Sequence, residues 1–93
     1  MKKASELLGD VMPPISTFDG IKIVINYDEH NPPHFHAYYG DYEASFNFDA
    51  DINAGKMPPA QIKKIKKWVH ENRDFLELNW NRAERKKKLL IIE

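Results

Sequence analysis

The sequence predicts an α+β domain in two layers: an antiparallel sheet of three to four strands packed on two C-terminal helices. Three observations lead there. Apolar and polar residues alternate through Ile21–Tyr27 and again through His34–Phe48, with a Gly40-Asp41 turn dividing the second run. Apolar residues then recur at helical spacing from Ile62 to Val69 and from Phe75 to Ala83. At 93 residues the chain has the length for one core.

The first strand places Ile21, Ile23, Ile25 and Tyr27 on one face. Residues 28–33 follow as a loop, because Asn31-Pro32-Pro33 cannot continue a ladder. The next hairpin reads in register. A two-residue turn at Gly40-Asp41 pairs Tyr39 with Tyr42, Tyr38 with Glu43, Ala37 with Ala44, His36 with Ser45, Phe35 with Phe46 and His34 with Asn47. One face is then Phe35, Ala37, Tyr39, Tyr42, Ala44, Phe46 and Phe48; the other is His34, His36, Tyr38, Glu43, Ser45 and Asn47. A slip of one residue would exchange the two sets, so the register is strongly specified. Residues 49–56 form a polar connection with room for a short strand near Ile52.

Pro58-Pro59 opens the first helix, a position proline tolerates. Its Ile62, Ile65, Trp68 and Val69 stripe faces the sheet, and Lys63, Lys64, Lys66 and Lys67 face away. Asn72 or Asp74 breaks and re-caps the chain before a second helix carrying Phe75, Leu76, Trp80 and Ala83. Leu89–Ile92 is too apolar for a free tail and docks as an edge strand or covers the core. Residues 1–11 read as a loose extension and 12–93 as the domain.

The absence of cysteine excludes disulfides, thiolate metal sites and a cysteine nucleophile. No apolar run approaches the roughly 20 residues of a membrane span, and the N-terminus lacks a signal-peptide core. A cytoplasmic location is expected. The formal net charge of zero conceals two halves. Residues 1–55 hold three Lys/Arg against nine Asp/Glu, and residues 56–93 hold eleven against five. Such a chain is either a domain with a solvated helix face or one that meets an anionic partner at its basic end.

The segment that reads as chemistry is His30-Asn31-Pro32-Pro33-His34-Phe35-His36. His34 and His36, two apart on a strand, project from one face. That face is solvated, or covered by a partner or a second copy of the chain. Four uses are open to it. The imidazoles are plain surface groups; or His34 and His36, with His30 folded back or Glu43 as a carboxylate ligand or outer acceptor, hold a divalent metal such as zinc; or His34 and His36 act as acid and base, with Glu43 orienting or assisting; or the polar face docks a partner protein without any reaction. The third use suits metal-independent cleavage of RNA, where the ribose 2′-OH is the internal nucleophile. Lys63, Lys64, Lys67, Arg82 and Arg85 are the residues placed to hold a phosphate backbone. No P-loop or dinucleotide-binding glycine pattern occurs.

Several stretches together carry a family resemblance: Met12-Pro13-Pro14-Ile15-Ser16-Thr17-Phe18-Asp19-Gly20-Ile21, His30–Ala37, Tyr39-Gly40-Asp41-Tyr42-Glu43-Ala44, Gly55-Lys56-Met57-Pro58 and Asn79-Trp80. In these the chain resembles the small bacterial proteins of domain-of-unknown-function family 4160. The resemblance implies a prokaryotic protein and makes residues 1–11 an extension or a different start-codon choice. Members sit beside a second small family in an arrangement like a toxin–antitoxin pair. The resemblance therefore implies a small cognate protein encoded alongside as a partner, with RNA as a candidate target. Self-association is compatible with the outward histidine face.

Overall fold

The β-hairpin sits at the centre of the molecule. The computed structural model describes residues 14–27 and 29–92; the proposed extension at residues 1–11 lies outside them. Five strands form one antiparallel sheet in sequential order: β1 (Ser16–Phe18), β2 (Ile21–Val24), β3 (His34–Tyr39), β4 (Tyr42–Asn47) and β5 (Ile52–Lys56). The β3–β4 ladder pairs His34 with Asn47, Phe35 with Phe46, His36 with Ser45, Ala37 with Ala44, Tyr38 with Glu43 and Tyr39 with Tyr42. This is the register expected from alternation and the Gly40-Asp41 turn.

Among the described residues the sheet has five strands rather than three or four. The strand suspected near Ile52 is present as β5, and β1 is additional. β1 is only 3 residues long, too short for alternation to reveal, and it is joined to β2 by a tight Asp19-Gly20 turn. The β4–β5 connection is organised by Asn47, whose Oδ1 accepts the backbone N–H groups of Asp49 and Asp51, both at 2.9 Å. A bulge follows: Ser45 faces Ala54, but Phe46 faces Ile52. Gly55 has φ +84°, and a side chain there would collide with the carbonyl of Glu43, so β5 approaches β4 this closely only because that position is glycine.

Among the described residues one helix covers the sheet, not two: α1 spans Pro59–Glu84. The break expected at Asn72 or Asp74 is a kink at Asn72 (φ −127°), and the helix continues past it. The side-chain amide of Asn72 donates to the carbonyl of Trp68 at 2.8 Å, taking the acceptor a regular turn would offer to the backbone N–H of Asn72. With neither proline nor glycine nearby, nothing ends the helix there.

Ile65, Trp68, Val69, Leu76, Trp80 and Ala83 of α1 meet Ile21, Ile23, Ile25, Phe35, Ala37, Ala44 and Phe46 of the sheet side. Phe35 stacks on Phe46 with ring centroids 5.4 Å apart and meets Trp68 edge-on at 6.0 Å. Trp68 spends its indole N–H on Ser16 Oγ at 3.2 Å. Two aromatic residues leave the expected apolar face. Tyr42 is exposed. β2 ends at Val24, so Tyr27 no longer follows strand alternation; it lies at the surface and its hydroxyl donates to the Lys87 carbonyl at 3.0 Å.

The tail covers the core without forming a strand. Leu89 and Ile92 pack against the core cluster, and the Ile92 N–H donates to the Ile15 carbonyl at 2.8 Å. Asn79, which is fully buried, holds Leu90 on both sides: its Nδ2 donates to the Leu90 carbonyl at 3.0 Å and its Oδ1 accepts the Leu90 N–H at 2.8 Å. Asn79→Ala removes both bonds and leaves a void. The expected outcome is a loss of about 2 kcal/mol in urea unfolding, with residues 85–92 becoming protease-sensitive before the rest of the chain. A tail as protected as in the unaltered protein would contradict this role.

Candidate metal centre

Strand alternation turns His34 and His36 away from the side of the sheet that buries Phe35 and Ala37, as expected from their spacing. The chain between β2 and β3 folds back over the histidine face, bringing Glu29 against both imidazoles. Val24, directed to the same face and paired with His36, is 8% exposed. The side chains of His34, His36 and Glu29 are 17%, 20% and 26% exposed.

Glu29 Oε1 lies 2.8 Å from His36 Nε2, and Glu29 Oε2 lies 3.4 Å from His34 Nε2. One ligand atom from each of the three residues falls within 4.8 Å of the others. Asn26 Nδ2 donates to Glu29 Oε1 at 3.1 Å and steadies the carboxylate. His34 Nδ1 lies 2.9 Å from the Pro32 carbonyl oxygen. The His34 ring also stands 5.3 Å from that of His36, edge-on, and 5.4 Å from the ring of Trp80. The loop is tied to the end of α1 by Asn31, whose Nδ2 donates to Glu84 Oε2 at 3.5 Å.

The other sequence-derived candidates are more scattered. His30 is exposed and stands outside the cluster, and its neighbour Glu29 takes the third place. Glu43 stands opposite Tyr38 and shares with His36 a shallow cavity of about 320 Å³. Lys64 pairs with Asp19 at 3.5 Å, and Lys67 lies beside it along a groove with Phe18 and Trp68. Lys63 is exposed on the same half of α1. Arg82 donates through Nε to the Lys88 carbonyl at 2.6 Å, so it secures the tail; Arg85 ends the helix in solvent. At about 1.5 Å rise per residue, the two basic groups stand roughly 28 Å apart along α1 and form no single patch.

Sequence reasoning missed Glu29. An acid just ahead of the His30–His36 segment was a weak signal, because a loop leaves its direction open. Burial by itself would raise the Glu29 pKa, but hydrogen bonds from His36 and Asn26 and the nearby imidazole charges outweigh it, and the carboxyl titrates below its usual range. Burial, then Glu43 and Glu29, raise the Tyr38 phenol, so Tyr38 is a neutral hydrogen-bond donor across the physiological range.

The sequence model of a family described as "Domain of unknown function (DUF4160)" matches residues 20–81. The chain belongs to this family. The matched DUF4160 span contains the whole cluster of Glu29, His34 and His36. No protein of curated function and no solved structure matches the chain. Among the described residues, no helix is long and apolar enough to cross a membrane.

The sign of the Glu29 shift makes a testable statement. Its folded pKa is lower than its unfolded one, so the ionised carboxylate stabilises the fold above the unfolded value of about 4.3. That contribution is lost as pH falls through the lowered folded value. In chelator, Glu29→Gln is expected to cost about 1 kcal/mol at about pH 7, with the gap closing as the pH falls through the lowered folded value. Urea unfolding across a descending pH series checks it, and a gap independent of pH would refute the assignment.

Proposed function

We propose that this DUF4160 protein binds a divalent transition-metal ion through Glu29, His34 and His36, in a centre with an open coordination position. The observation that carries the proposal is the hydrogen bond between His34 Nδ1 and the Pro32 carbonyl. A carbonyl oxygen only accepts, so Nδ1 bears the proton, and in a neutral ring Nε2 is a bare lone pair. That lone pair faces the Glu29 carboxylate at 3.4 Å. Two acceptors facing one another call for a cation between them, either a proton or a metal ion. A ring whose second nitrogen donates to a backbone carbonyl is the usual outer support of a metal-binding histidine. The spacing suits an ion as well: ligands about 2.1 Å from a tetrahedral metal stand roughly 3.4 Å apart. Two imidazoles and a carboxylate, without thiolate, favour zinc and its neighbours over calcium or magnesium. Three protein ligands leave room for water or a ligand molecule, as in catalytic sites.

A second reading is favoured by the 2.8 Å pair between His36 and Glu29. A carboxylate that orients an imidazole is half of an acid–base apparatus, and His34 supplies the second ring. On this reading the protein is a cytoplasmic toxin–antitoxin component that cleaves or binds RNA without metal and is paired with a small cognate protein.

The two readings separate in one preparation. Protein freed of metal by a chelator is titrated with Zn²⁺ and with Co²⁺. The first reading expects one ion per chain and a rise in Tm, with stabilisation of about 2.7 kcal/mol at a hundredfold excess over Kd. The Trp80 ring beside His34 gives a fluorescence change on loading. His34→Ala or His36→Ala abolishes stoichiometric uptake, and Glu29→Gln weakens it at least tenfold. Uptake indifferent to these substitutions, or no uptake, removes the metal reading. RNA cleavage in excess EDTA that is lost in the same variants would establish the second.

A further inference from the structure

The cavity beside His36 lies outside the metal cluster, and its chemistry is specific. His36, Ser45 and Ala54 form one row across β3, β4 and β5 on the outer face. Ser45 and Ala54 are small, so the row sinks into a depression of about 320 Å³ bounded by His36 at one end and Glu43 at the side. This volume suits a small molecule or a terminal group of a larger one. His36 belongs to both places: it lines the depression, and its Nε2 faces Glu29.

Glu43 is the polar anchor of the depression. A carboxylate has about four acceptor sites, and Tyr38 is its partner across the β3–β4 ladder. Lys56 stands opposite Glu43 in the register, yet among the described residues the two form no ion pair. Glu43 is therefore a charged acceptor with unspent capacity, held at the wall of a cavity that contains no cationic side chain. Glu29 Oε1 faces His36 Nε2 at 2.8 Å. Two carboxylates around one imidazole repel a polyanion and favour a ligand that brings hydrogen-bond donors or positive charge.

We infer that this depression is the ligand pocket of the metal centre, and that it takes a small ligand with an ammonium group for Glu43 and an acyl oxygen for the metal, as at the amino end of an amino acid or peptide. The inference rests on the metal reading. On it, Glu43 selects the ligand, His36 sets the distance between the two anchors, and the small side chains of Ser45 and Ala54 make the space.

The test uses the zinc-loaded protein and two probes that share a metal-binding head, glycine hydroxamate and acetohydroxamate, which differ by the ammonium group. Calorimetry is expected to give glycine hydroxamate about tenfold tighter binding, the size of one charge-assisted hydrogen bond. Glu43→Gln removes that preference and leaves zinc stoichiometry and acetohydroxamate affinity unchanged. Ala54→Leu, which fills the depression from an exposed edge strand, weakens both probes at least tenfold while zinc stays bound. Equal affinities in the unaltered protein, a preference that survives Glu43→Gln, or inorganic phosphate binding more tightly than either probe each overturn the ligand class while the metal centre stands. Failure to load zinc at all removes both together.

Discussion

The parity of β3 is the constraint on which the rest of this structure depends. Phe35 and Ala37 must enter the core because Phe46, Ala44 and Trp68 leave an apolar space for them and nothing else fills it. Burial of a phenylalanine is worth roughly 2–3 kcal/mol. A shift of one residue would lose that and force two imidazoles into apolar surroundings. His34 and His36 thus face outward because of what their neighbours bury. The core aims the site, and the turn at Gly40 sets the partner strand in the same register.

A second layer of constraint comes from the helix. Trp80 meets Phe48 edge-on at 6.2 Å on the core side and stands 5.4 Å from His34 at the site. Its neighbour Asn79 clamps the tail, which receives the Tyr27 hydroxyl, and Glu84 receives Asn31. The loop that delivers Glu29 is therefore held at its start by the tail and in its middle by the end of α1. Loop and tail brace one another, and both lean on the half of α1 beyond the Asn72 kink. That arrangement keeps Glu29 within reach of both imidazoles, although Glu29 lies outside the strands of the sheet.

What the sequence made legible follows from which interactions are periodic. The hairpin register, the core face of the strands and the apolar stripes of α1 all repeat, and each repeat confirms the last. β1 has too few residues to repeat. The kink at Asn72 looked like an end because asparagine favours caps; only the structure shows its amide turned back onto Trp68. Asn79 reads as a surface residue in any composition scale, yet it is wholly buried because one backbone segment presents it with both a donor and an acceptor. At the site, the two strand histidines were readable by parity. Glu29 was not, because a loop has no parity. Its place is set by Asn26, by the tethers to α1 and the tail, and by the imidazoles themselves.

The two histidines are not equivalent in this geometry, and the difference bears on how an ion would load. Assigned from its partner, His34 carries its proton on Nδ1 and offers Nε2, so it is already in the tautomer a metal needs. His36 is not. Its Nε2 is within 2.8 Å of a carboxylate, which makes that nitrogen the donor when the centre is empty of metal. Coordination through Nε2 would require the proton to leave that position, and the hydrogen bond to Glu29 would be replaced by two bonds to one ion. The Glu29–His36 pair is thus the competitor a metal must displace, whereas the His34–Pro32 bond is a support it would keep. A cluster built this way has one ligand preset and one held in reserve.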